Sequence, residues 1–129
     1  MGFDITKFDR AKKIKTQTKA LLDNLIENLA AICKDTISQN KEIEFPLKPK
    51  STKKPMLFIC DNDGVIIFFW EIPQSEIEKV CKFAQKDITA EPLYFVIMYG
   101  KKTSGHLKFP KSSLSEVLKI LPLPTYKRE

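Results

Sequence analysis

The chain has 129 residues, of which 43% are apolar and 29% are charged, and its 22 lysines and arginines exceed its 16 aspartates and glutamates. This length is typical of one domain, and so high an apolar fraction is unlike that of disordered chains. We therefore expect a packed core without stabilising disulfides. The formal charge of +6 favours polyanionic partners.

The sequence predicts a soluble, intracellular protein, cytoplasmic or nuclear, that does not contact a membrane. Charged residues interrupt the first apolar stretch after Met1, unlike in a signal peptide, and no run approaches the roughly 20 apolar residues that span a bilayer. Cys33, Cys60, Cys81 and the single histidine, His106, lack the spacing of metal ligands. We expect free buried thiols, an ordinary strand histidine, and no metal or cofactor.

Residues 1–40 have apolar positions at helical spacing, and neither proline nor glycine interrupts the pattern between residues 4 and 38. They predict a long N-terminal helix, or two joined helices, with a basic front and an apolar rear. Residues 41–55 contain three prolines and five lysines. Because proline lacks a backbone donor and fixes φ, we predict an extended basic linker there.

Residues 55–91 predict a β-hairpin followed by a helix. The turn Asp61-Asn-Asp-Gly64 separates two apolar runs, as hairpins require. Ser75 and Glu78 have the spacing of a capping box at a helix start. The second run, Val65 to Trp70, has no polar residue, so we expect cover on both faces, or on one face and by a dimer partner.

Residues 92–121 predict a second hairpin and helix, and residues 122–129 a tail. The two units align without a gap at an offset of 37, which pairs Phe58 with Phe95 and Trp70 with Leu107. We predict a single α+β domain over 1–129. In it, a long N-terminal helix precedes two repeated units (ββαββα), which form one mainly antiparallel sheet with helices on one face.

The favoured function is non-enzymatic binding of DNA or RNA through the phosphate backbone. Lysine is a point charge suited to phosphate, and such contacts are sensitive to salt. Aromatic residues on the strands are candidates for stacking on bases, although they also fit a core: Phe68, Trp70, Tyr94 and Tyr99. The predicted nucleic-acid-binding residues are Lys7, Arg10, Lys12, Lys13, Lys15, Lys48, Lys50, Lys53, Lys54, Lys101 and Lys102.

Two alternatives remain open. The first is a protein-interaction module or homodimer that associates through the apolar helix or the apolar strand. The second is a metal-dependent nuclease, in which Asp61, Asp63 and Glu71 would hold a divalent cation. Such enzymes usually carry Glu-x-Lys, whereas here Pro73 stands at the lysine position. We assign no catalytic residue.

Overall fold

The computed structural model describes residues 23–39, 42–43, 55–88, 90–100 and 102–128. Helix α1 covers residues 23–38 within this part of the chain, and it is followed by two further helices and five strands. These are β1 (Pro55–Cys60), β2 (Ile66–Glu71), α2 (Gln74–Val80), β3 (Pro92–Tyr99), β4 (Lys102–Pro110), α3 (Leu114–Ile120) and β5 (Tyr126–Lys127). The predicted α+β class is confirmed.

The five strands form one antiparallel sheet in the order β4-β3-β1-β2-β5. Strands β1 and β3 pair along their length at its centre, from Pro55 opposite Tyr99 to Cys60 opposite Tyr94. Segments from elsewhere in the chain pair with the outer edges of β4 and of β2. On β4 the carbonyls of His106 and Lys108 accept hydrogen bonds from other segments, and β5 lies along β2. This cover protects unpaired strand groups from other chains.

Both faces of the sheet are apolar, and helices cover both of them. On one side, here called the α2–α3 face, strand residues pack with residues of the two short helices: Leu57, Ile59, Phe68, Trp70, Phe95, Phe109, Ile77, Val80 and Val117. On the other, the α1 face, they pack with residues of the first helix: Phe58, Cys60, Ile66, Phe69, Val96, Met98, Ile26, Leu29 and Cys33. The prediction of helices on one face is therefore wrong, because strands that are apolar on both sides need cover on both.

The predicted gap-free repeat is also wrong. It pairs Phe58 with Phe95, yet Phe58 lies on the α1 face and Phe95 on the α2–α3 face. In contrast, Trp70 and Leu107 do share a face. A shift of one residue moves a strand's side chains to the opposite face, so no single offset can match both strands of the two hairpins.

Two further details of the predicted helices are not confirmed. The long N-terminal helix reduces to residues 23–38 in the described chain, and residues 1–22 lie outside it. Helix α2 has no side-chain cap: the carbonyl of Pro73, rather than Ser75, accepts the N–H of Glu76 at 3.0 Å. In the described residues, no helix has the length and apolar character needed to cross a membrane.

Candidate nucleic-acid interface

The structure does not test whether the predicted binding residues converge. Ten of them lie outside the described residues, and Lys102 is described only by its backbone at the start of β4, opposite Tyr99. The ten are Lys7, Arg10, Lys12, Lys13, Lys15, Lys48, Lys50, Lys53, Lys54 and Lys101. Their grouping on one surface stays a prediction.

The excess positive charge of the chain lies outside the described residues. They include ten lysines and arginines against twelve aspartates and glutamates, a formal charge of −2. The rest of the chain holds the other twelve basic residues and four acidic ones, a formal charge of +8. The excess of lysine and arginine over acidic residues, which favours phosphate binding, therefore lies in residues outside the described fold.

Acidic partners already neutralise part of the described basic surface. Lys79 donates to Glu76 at 2.8 Å one helical turn away, and Lys86 lies 3.9 Å from Glu42. Such exposed pairs contribute little to stability, but they reduce the local positive potential. The described surface therefore carries charges of both signs.

The strand aromatics are unavailable for stacking on bases. Trp70 is fully buried, and its indole N–H donates to the carbonyl of Pro122 at 2.8 Å. Tyr94 and Tyr99 are also buried, and burial raises the pKa of both phenols. Phe68 stacks on Trp70 with ring centroids 5.6 Å apart. These four residues belong to the core, so nucleic-acid bases cannot stack on them.

The carboxylates of the nuclease alternative do not converge. Asp61 accepts hydrogen bonds at 2.9 Å from the backbone N–H groups of Asp63 and Val65, which is how an aspartate stabilises a turn. Glu71 lies opposite Met56, at the far end of the hairpin from Asp61, and five residues of strand span roughly 16 Å. One cation cannot bind all three. Among the described residues, no cluster of three or more histidine, cysteine, aspartate or glutamate side chains is arranged to hold a metal.

The hollow beside the β1–β2 turn is also a poor phosphate site. Its volume is about 580 Å³, and acidic side chains outnumber the single lysine in its lining: Asp61, Asn62, Asp63, Ile67, Glu91, Pro92, Leu93 and Lys111. Tyr94 donates to Asn62 at 3.0 Å on this turn. Carboxylates repel phosphate, so we do not assign nucleic-acid binding to this hollow.

A larger hollow, of about 740 Å³, lies along the outer edge of β4. It combines apolar side chains with two lysines and one carboxylate: Glu42, Ile43, Cys81, Ala84, Gln85, Lys86, Leu107 and Lys108. Burial, with a smaller effect of Glu78, raises the pKa of Cys81 to about 12, so this thiol is protonated at neutral pH and is a weak nucleophile.

His106 is an interior residue, in agreement with the sequence expectation. It is fully buried, its ring meets that of Tyr94 edge-on at 5.6 Å, and its carbonyl accepts the N–H of Ile43 at 3.1 Å. A general base must reach its substrate, which this position prevents.

One juxtaposition escaped the sequence analysis. Cys33 of α1 and Cys60 of β1 are both fully buried in the same cluster on the α1 face, and Cys33 raises the pKa of the Cys60 thiol. The two residues are far apart in the sequence and belong to different elements, so nothing in their spacing predicts the contact.

Comparisons of the chain with protein-family models, with curated proteins and with solved structures found no match.

Proposed function

We propose that the protein is a non-enzymatic nucleic-acid-binding protein that contacts the phosphate backbone through lysines outside the described fold. The observation that carries this proposal is the separation of charge: −2 on the described residues and +8 on the remainder. Residues 1–22 and 44–54, here called the basic segments, hold ten lysines and arginines and three acidic residues. Counterion release from DNA or RNA would supply the affinity.

In this proposal the described fold serves as a scaffold for the basic segments. The described part of α1 starts at residue 23, directly after the first basic segment, and β1 starts at Pro55, directly after the second. Residues of both elements belong to the apolar cluster on the α1 face. Because Phe68, Trp70, Tyr94 and Tyr99 are buried, base stacking on these four residues contributes nothing. The binding we propose is consequently tolerant of sequence, because phosphate contacts carry no direct information on the bases.

A direct binding assay tests this function. Fluorescence anisotropy would follow labelled single-stranded DNA, double-stranded DNA and single-stranded RNA at about 50 mM and about 200 mM salt. We expect micromolar or tighter binding at the lower salt and a loss of at least about tenfold at the higher one, as several phosphate contacts require. An unlabelled acidic polypeptide is the competitor control.

Two outcomes of this assay would count against the proposal. One is the absence of salt-dependent binding at micromolar protein for all three nucleic acids. The other is equally effective competition by the acidic polypeptide at matched charge, since that would show an affinity for any polyanion.

A specific observation keeps self-association as a second candidate. Helix α1 exposes Leu25 and Ile32, which are 47% and 36% accessible, beside its buried stripe. The apolar strand is not available for the same purpose, because residues of β2 are buried on both faces of the sheet within the chain. Light scattering over a concentration series tests this candidate: a dimer mass that Leu25→Glu abolishes supports it, and a monomer at all concentrations opposes it.

A further inference from the structure

The contact between α1 and the β1–β2 hairpin is unusually close. A Cβ atom added to Gly64 would lie 2.7 Å from the backbone nitrogen and Cα of Lys34. Gly64 also has a φ of +81°, which disfavours other residues. The helix backbone therefore lies directly against this turn. Cys33 precedes Lys34 on the helix, and Cys60 ends the strand that leads into the turn.

Both cysteines lie beside this close approach, in one buried cluster. Cys33 and Cys60 are each 0% accessible and belong to the same cluster with Phe58, Ile66 and Phe69. Cys33 raises the pKa of the Cys60 thiol, as a neighbouring side chain does. Disulfide sulfurs are separated by about 2.05 Å, so a bond between these two requires only that the side chains turn towards each other within the cluster that holds both.

We propose that Cys33 and Cys60 form a reversible thiol–disulfide switch that fastens helix α1 covalently to the sheet under oxidising conditions. The oxidant is a peroxide. A Cys60 thiolate attacks one peroxide oxygen, which breaks the O–O bond and leaves a sulfenic acid and, with a proton, one water. The Cys33 thiolate then attacks the sulfenic sulfur, and the departing hydroxide takes up a proton to give a second water. In total, two thiols lose two electrons and two protons, and hydrogen peroxide is reduced to two waters.

Opening of α1 controls the rate of this reaction. The hydrogen bond with Cys33, followed by burial, raises the pKa of Cys60 well above its usual range, so the closed structure contains almost no reactive thiolate. Helix α1 buries only four residues in its described length, Ile26, Leu29, Cys33 and Thr36, so it can open locally without global unfolding. Peroxide would reach Cys60 during such openings, and closure would bring Cys33 to the oxidised sulfur.

The experiment uses the full chain with Cys81→Ser, because a serine hydroxyl can keep the contact of Cys81 Sγ with the carbonyl of Ile77. Folded protein is treated with hydrogen peroxide, quenched, alkylated and analysed by intact mass and non-reducing peptide mapping. We expect an intramolecular Cys33–Cys60 link, a loss of two hydrogen atoms, and a rise in Tm of roughly 5–10 °C that a reductant reverses.

The matched control carries Cys33→Ala together with Cys81→Ser. Without its partner, Cys60 should gain oxygen atoms in place of a disulfide, and Tm should not rise. A second variant, Leu29→Ala, weakens the packing of α1 and should accelerate disulfide formation by tenfold or more. The wild-type chain, mapped in the same way, shows whether the link forms without any substitution.

Three results would overturn the proposal. One is that Cys33 and Cys60 stay reduced while the folded protein is oxidised only at exposed groups. Links between chains would show that the pair does not close within one molecule. A Cys33–Cys60 link without a rise in Tm would show that it does not fasten the helix.

Discussion

The described fold and the basic segments differ in charge, and we propose that they also differ in what their side chains do. The fold has a formal charge of −2, two apolar faces covered by helices, and buried aromatics. The basic segments have a formal charge of +7 in 33 residues. Stability should therefore respond to substitutions in the fold and nucleic-acid affinity to substitutions in the basic segments.

The largest loss of stability should come from Trp70→Ala. This substitution removes a fully buried ring, its stacking on Phe68 and its hydrogen bond to Pro122. We expect a loss of about 3–5 kcal/mol in the free energy of unfolding, measured by urea denaturation. Trp70→Phe retains most of the apolar contact and should cost clearly less.

The milder variant also tests the separation. Trp70→Phe should remain folded and bind nucleic acid with unchanged affinity and salt dependence. Leu123→Ala is the control for exposed apolar residues, since Leu123 is 94% accessible and its truncation should leave stability within about 0.5 kcal/mol of wild type.

The next effect concerns the contact between α1 and the hairpin turn. Gly64→Ala introduces both an unfavourable positive φ and a clash with the backbone of Lys34. We expect a loss of roughly 2–4 kcal/mol by the same denaturation measurement. Gly64→Asn is the matched variant, because asparagine tolerates positive φ but still carries a Cβ. Near-equal losses would assign most of the cost to the clash, whereas a stable asparagine variant would contradict the close approach.

A smaller effect should appear at alkaline pH. Burial raises the pKa of Cys81 to about 12 in the folded chain, from an ordinary value near 9. The folded state then holds a proton that the unfolded state releases, so the associated stability is present below pH 9 and is lost as the pH rises towards 12. One such group gives a slope of at most about 1.4 kcal/mol per pH unit.

Denaturation curves at several pH values above 9 measure this slope. The pKa of Cys60 and those of Tyr94 and Tyr99 are also raised, and these groups contribute with the same sign. Cys81→Ser should therefore make the slope shallower without abolishing it. An identical slope in the variant would show that Cys81 does not titrate as described.

The sequence predicts the class of the fold better than its arrangement, and the strands show why. Apolar runs and the Asp61–Gly64 turn are local signals, so the β1–β2 hairpin was predictable. The side of the sheet that a helix covers depends on long-range packing, which periodicity does not record. The alignment of Phe58 with Phe95 was wrong for a related reason. A register difference of one residue moves a strand's side chains to the opposite face of the sheet but hardly changes the amino-acid composition of the strand.

The sequence likewise predicts some properties of the candidate interface and not others. Composition shows an excess of lysine in the basic segments, but it cannot place those lysines on one surface. The sequence favours a core role for the strand aromatics but also allows stacking on bases, and only tertiary contacts such as the Trp70 hydrogen bond decide between the two roles. The contact of Cys33 with Cys60 had no signal in the sequence, because helix packing alone brings the two residues together.

The most direct test of the central claim compares two sets of four Lys→Gln substitutions that change the net charge equally. One neutralises Lys48, Lys50, Lys53 and Lys54 of the basic segments; the other neutralises four exposed lysines of the fold, Lys34, Lys111, Lys119 and Lys127. The measurement is the slope of log K against log salt concentration for double-stranded DNA. We predict that the first set lowers the magnitude of the slope by up to about 3.6, at about 0.9 per lost phosphate contact, and that the second leaves it near the wild-type value. Equal reductions by the two sets, or a larger one by the second, would contradict the account.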